Sequence, residues 1–308
     1  NQVSKYCVTE NGKNLVLKIY PTSNIEFIVN ECTLVSEAKE ILNKAGHPPI
    51  DFIPDLNQPL SECKIEGSIL SSHRVLDILK LAKTSRLVQQ FLKNELVTES
   101  RLTDKLKDLF SDKLFEYQIE KIISDQDEVK ENASADLLQI RKEIISKRNE
   151  LVKSINRIIK NLKEDDIVRE DYLTLRDGRM VIPIKSEHKR HIRGFIHSES
   201  ATGQTVYIEP EETLDLNNDI ISLSFAERRE IERILKELTR MIGQSSERLR
   251  AALKTIAYID SIFARAKYST EIIGAFPQVD NNKPIYISDA RHPLLLKKLG
   301  RKNTVPLS

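Results

Sequence analysis

From Pro210 to Phe276 the chain has no proline after the first residue, and Gly243 is its only glycine before Gly274. Proline and glycine are the residues that stop helices. The stretch therefore predicts one uninterrupted helix, up to about 100 Å long at 1.5 Å per residue. A single compact core cannot enclose such an element, so the fold must be built around a helix that protrudes. Ile231, Ile234, Leu238, Met241, Leu249, Leu253, Ile256, Ile259 and Phe263 form its apolar stripe. Pro210 suits a first helical turn, and Glu211 and Glu212 suit the positive end of the helix dipole.

A helix this long needs a companion, and one lies upstream. From Ser134 to about Leu162, Leu137, Ile144, Leu151 and Ile158 recur every seven residues, with Leu138, Ile145, Val152 and Ile159 beside them. A narrow stripe with charged flanks marks packing on one partner helix, as in a coiled coil. This outgoing helix would be about 45 Å long. The returning helix would pair with it and then run on into the core.

Residues 1–133 read as ordinary helices. Ser23 with Glu26 predicts a capping box opening a helix to about Ala45, where Gly46-His47-Pro48-Pro49 stops it. A loop marked by Pro54 and Pro59 follows. Ser71 or Ser72 then caps a helix carrying Val75, Leu76, Leu79, Leu87, Val88, Phe91 and Leu92, and shorter helices cover roughly 101–110 and 113–123.

Between the two long helices the period drops to two. Tyr172 to Arg176 and Met180 to Ile184 flank Asp177-Gly178, a hairpin signal because glycine accepts positive φ. Gly194 to His197 and Thr205 to Ile208 form a second pair, joined through Ser198 to Gln204. The reading is mainly α with a small β insertion: a helical core and a long antiparallel two-helix lever tipped by a roughly four-stranded β clamp. Its parts are core (1–133), outgoing helix (134–168), clamp (169–210), returning helix (211–255) and core again with a lead-in to an absent ATPase domain (256–308).

Charge singles out the tip. Between Arg176 and Arg193 it carries Arg176, Arg179, Lys185, Lys189, Arg190 and Arg193 against Asp177 and Glu187, with His188 and His191 alongside. That density on a thin sheet attracts phosphates. Phosphate contact is expected from Lys185, Lys189, Arg190, His191 and Arg193, and also from Arg179, although strand neighbours alternate faces and Lys185 or Arg179 could point away. The outgoing helix is basic too, through Arg141, Lys142, Lys147, Arg148, Lys153, Arg157 and Lys160. There the returning helix offers nine acids against four bases between Glu209 and Glu237, so interhelical pairing is a competing explanation. Ser198, Ser200, Thr202, Gly203 and Thr205 make a hydroxyl-rich turn of ordinary composition.

Catalytic motifs are missing. No Gly-x4-Gly-Lys, Gly-x-Ser-x-Gly or His-Glu-x-x-His occurs. His188, His191 and His197 with Glu187 and Glu199 are the nearest approach to a metal set, but they straddle a turn and a strand; no metal and no catalytic residue is expected. Cys7, Cys32 and Cys63 fit neither a disulfide framework nor a metal spacing, and read as reduced thiols of a cytoplasmic protein. No run of 18 apolar residues exists to span a membrane. The abrupt start at Asn1 suggests a piece of a longer polypeptide.

Residues 171–218 closely resemble the clamp and returning lever of the second bacterial branch of MutS proteins, which lacks the mismatch-reading domain. The matching text runs from Leu173 through Arg176-Asp177-Gly178-Arg179 to Lys185, then Gly194-Phe195-Ile196-His197, Ser200 to Pro210 and Leu216-Asn217-Asn218. Asn132-Ala133-Ser134 leading into Leu137, Glu230 to Leu235, and Ala290-Arg291-His292-Pro293-Leu294-Leu295 also fit. The resemblance implies a homodimer whose clamps close around DNA, driven by an ABC-type ATPase that needs ATP and Mg, in DNA repair or restraint of recombination, often with a nuclease module. Other members act on stalled or collided ribosomes. Under it this chain is a DNA-binding fragment and no enzyme itself. Two alternatives stay open: a ribosome-directed clamp, and a coiled-coil scaffold for another protein. Ser198-Glu199 depart from the family's Asp followed by a polar residue, which puts a negative charge beside the phosphate path.

Overall fold

The structure, a computed structural model, describes residues 2–96, 100–163, 167, 174–279 and 286–307. Tyr172 and Leu173 of the first hairpin lie outside them. The chain divides into two compact units. One comprises Asn1–Glu120, Asp125–Asp127 and Leu238–Ser308; the other comprises Lys121–Ser124 and Glu128–Glu237.

The first unit is helical and is made from both ends of the sequence. It holds α1 (Glu10–Leu17), α2 (Ile25–Ala45), α3 (Asn57–Glu62), α4 (Ser72–Glu95) and α5 (Lys113–Ile122) up to Glu120, with the second part of α7 (Leu214–Glu271) and α8 (Pro293–Leu299). Leu34, Leu60, Ile78, Leu81, Leu92 and Phe110 are fully buried, as are Leu249, Ile256, Ile259 and Phe263 of α7. Two details tie the sequence ends together. The Asp260 carboxylate, wholly buried, accepts the backbone N–H of Val8 (3.1 Å) and of Thr9 (2.8 Å) and the Thr9 hydroxyl (2.7 Å), just ahead of α1. Gly243, the glycine inside the long helix, lies where a Cβ would collide with the Cys63 carbonyl oxygen, so only glycine lets the two backbones meet.

Local signals explain most boundaries. Asn24, not Ser23, caps α2: its side chain accepts the Phe27 N–H, a role for which asparagine is at least as good. Gly46, at φ 84°, ends that helix, and Ser71 caps α4 through the Arg74 N–H. Residues 101–108 form a 3-10 helix. Cys7 and Cys63 are buried, and burial pushes their thiols up to about 12 and about 11 respectively, the neighbouring Asp260 adding to the effect at Cys7.

The second unit joins α6 (Ala135–Lys163) to the first part of α7 around a four-stranded sheet: β1 (Thr174–Arg176), β2 (Arg179–Lys185), β3 (Gly194–Glu199) and β4 (Thr205–Pro210). Ser134 Oγ accepts the Leu137 N–H to start α6 and donates to Glu230 of α7 at 2.6 Å. The helices run antiparallel. Arg141 pairs with Glu227, Lys147 with Asp219 and Arg157 with Glu212, at 2.7, 2.8 and 2.9 Å. Asp177 (φ 49°) and Gly178 (φ 79°) make the predicted β1–β2 turn.

The strand order is β1-β2-β4-β3, each neighbour antiparallel. Leu151, Ile155 and Ile159 of α6 and Ile220 of α7 form one cluster with Ile167, Ile182, Ile184, Val206 and Ile208, so the sheet is seated on the helix pair by one apolar face. A sheet this small would be marginal alone, and burial of that face supplies what it lacks.

Candidate nucleic-acid interface

Because β4 lies between β2 and β3, residues 186–193 are not a simple hairpin link. β2 ends at Lys185 opposite Thr205, while β3 begins at Gly194 opposite Pro210. The segment therefore crosses from one end of the sheet to the other. It is pinned along its course: Ser186 N–H donates to Gln204 O (3.0 Å), His191 N–H to His188 O (2.9 Å), and Arg193 O accepts from Glu211 N–H (3.0 Å). Ile192 turns inward against the apolar cluster. Lys189, Arg190, His191 and Arg193 stay exposed. Among the described residues, no acidic side chain pairs with Lys189, Arg190 or Arg193.

The remaining bases of the tip are occupied elsewhere. Arg176 places its guanidinium 4.1 Å from the Tyr207 ring centroid. Arg179 reaches Glu209 (2.7 Å) and Asn218 (2.7 Å). Glu209 is 1% exposed, and its second oxygen contacts His197 Nε2 at 2.6 Å. The carboxylate is thus held between a cation and an imidazole, and desolvation makes such a group costly to leave unpaired. Arg179 is committed inside the sheet, and Lys185 is half-buried at the end of β2, where its backbone N–H donates to Ile167 O.

His197 is the extra residue of a β-bulge between Ile196 and Ser198, which aims its ring at Glu209 and away from the other two histidines. His188 and His191 meet edge to face with ring centroids 5.1 Å apart. Among the described residues, no group of three His, Cys, Asp or Glu side chains is placed to hold a metal ion. In the hydroxyl-rich turn, Ser200 Oγ accepts the Thr205 N–H, so it serves the turn itself.

Two features escaped the sequence reading. Asn217, 2% exposed, accepts the Met180 N–H (3.0 Å) and donates to the Met180 carbonyl (3.2 Å), docking α7 on β2 as a strand would. A buried amide needs this dual pairing, but nothing local in the sequence names its partner. Phe195, 60% exposed on edge strand β3, stands two residues beyond Arg193 and was read only as strand-forming.

No protein-family model matches the chain. A protein of Clostridium botulinum named endonuclease MutS2 is 33% identical over 297 residues, 96% of this chain. The chain is similar to part of endonuclease MutS2. Proteins of that name from Halothermothrix orenii (32% over 306 residues, 97% of this chain) and Alkaliphilus oremlandii (33% over 301 residues, 97%) agree. The chain spans 38% or 39% of the length of these MutS2 relatives. The likeness takes in the helical unit as well as the sheet. No described helix is long and apolar enough to cross a membrane.

Proposed function

We propose that this chain grips nucleic-acid backbone, with duplex or branched DNA as the ligand, through the crossover that carries Lys189, Arg190, His191 and Arg193. The observation that carries the reading is the sorting of charge on one small sheet. Arg176 and Arg179 are spent on internal partners, whereas three neighbouring cations are held out on a pinned segment with no acidic side chain paired to them among the described residues; Glu187, the acid on that segment, lies beside His188 instead. Cations so displayed bind phosphates by displacing counterions and carry no base preference. The word endonuclease in the relatives' name points to the same ligand class.

In this reading the chain contributes binding and no chemical step. ATP turnover with Mg, any cleavage, and the pairing of two copies around DNA belong to a longer protein of MutS type. Fluorescence anisotropy of the 308-residue chain with a labelled duplex and a four-way junction, across a salt series, tests it. Binding should weaken steeply with salt, and replacing Lys189, Arg190 and Arg193 with alanine should make the log–log slope shallower by about 2 to 3. A flat salt response, or a triple variant with the original slope, overturns it. Salt-dependent binding to isolated ribosomes with none to DNA would transfer the clamp to an RNA-containing ligand.

A further inference from the structure

The pairing along α6 divides its cations into two sets. Arg141 and Lys147 bridge to Glu227 and Asp219 of α7, and Arg157 to Glu212 just ahead of it. Lys142, Arg148, Lys153 and Lys160 are exposed and have no acidic partner among the described residues. Three of these four share a face. At 100° per residue, Lys142, Lys153 and Lys160 fall within about 20° of one another. Leu151, fully buried, is nine residues from both Lys142 and Lys160, half a turn away, so the three lysines point opposite the face buried on α7 and the sheet.

The residues filling the gaps in that face are Ser146, Asn149 and Asn156, all exposed. A hydroxyl and two amides add hydrogen-bonding capacity without opposing charge. Glu143 and Glu150 lie about a quarter-turn to one side, and Glu143 accepts a bond from Gln139 Nε2. The result is a cationic track about 27 Å long, equal to roughly eight base pairs of duplex, on the helix whose C-terminal half packs beneath the sheet.

We infer that the outward face of α6, through Lys142, Lys153 and Lys160, is a second binding surface for duplex backbone. Charge complementarity selects the occupant: a regular polyanion matches cations repeated along a straight rod, whereas interhelical pairing already accounts for the other set. The inference rests on the proposed nucleic-acid reading and adds a site to it.

The test is the full chain with Lys142→Gln, Lys153→Gln and Lys160→Gln, since glutamine is close to lysine in helix propensity. Far-UV circular dichroism should be unchanged. On a 24-base-pair duplex the salt slope should become shallower by about 2 to 3, so that the affinity lost between 50 and 200 mM salt shrinks by a factor of ~15–60. The matching Lys→Arg triple, which keeps charge, should restore the original slope. If the glutamine triple keeps the original slope while the crossover triple loses it, the track is overturned and the crossover reading stands. If the unaltered chain shows no salt-dependent binding, both fall. If the glutamine triple loses binding to polyglutamate and keeps its duplex slope, the face is a protein-docking surface and the inference is wrong.

Discussion

Glu209 holds a guanidinium on one oxygen and an imidazole near the other while being 1% exposed. Its role is to organise the sheet, since it ties β4 to β2 through Arg179 and to β3 through His197. Glu209→Gln removes the charge and leaves Arg179 without its counterion, at a cost of about 2–3 kcal/mol. Amide hydrogen exchange in β2 and β4 should accelerate by roughly 30–160-fold. Lys189→Ala, at an exposed position, should leave that exchange unchanged. Equal protection in Glu209→Gln and the unaltered chain would show that the ion pair contributes nothing to the sheet. The same geometry explains why Arg179 is a poor candidate for phosphate contact although its sequence neighbours suggest one.

At the scale of elements, α6 and α7 are joined by charge as well as by their apolar seam. Hydrogen bonds from Arg233 and Ser134 hold the Glu230 carboxyl at about 2, well below its ordinary value of 4.5, against an opposing effect of burial. A carboxylate depressed in the folded state stabilises above its unfolded pKa, and that contribution is lost as pH falls from about 4.5 towards 2. Arg233 is 47% exposed, so screening keeps the gain small. The advantage of the unaltered chain over Glu230→Gln, read from urea midpoints of helix content, should be full at pH 6 and shrink steadily below about pH 4.5. An advantage independent of pH would assign the effect to packing. Sequence reading reached what is local here. The seven-residue repeat of α6, the glycine-poor run of α7, the Asp177-Gly178 turn and the stop at Gly46 each follow from a few adjacent residues. It passed over α1, and it read Pro59 as part of a loop although a proline is tolerated in the first turn of α3. It also missed the insertion of β4 between β2 and β3, and with it the crossover. Strand order is decided by which apolar faces meet, as with Ile184 and Val206, and no short window contains both partners.

For the whole molecule, the discontinuous helical unit has a consequence in time. Its N-terminal part is completed by the second part of α7: Asp260 closes on Thr9 across 251 positions, and Phe263 and Ile259 fill the core from the same helix. During synthesis residues 1–120 emerge ahead of those partners and stand without them until residue 238 and beyond have followed. At about 5–20 residues per second, that interval is on the order of 10 s. A nascent chain arrested after residue 237 should be cut by protease throughout residues 1–120, and the released 308-residue chain should resist in the same region. Equal resistance in both would mean that the early segment folds without α7. The cell therefore has to tolerate a window in which residues 1–120 are finished but unhoused, a natural point for a holding chaperone to engage.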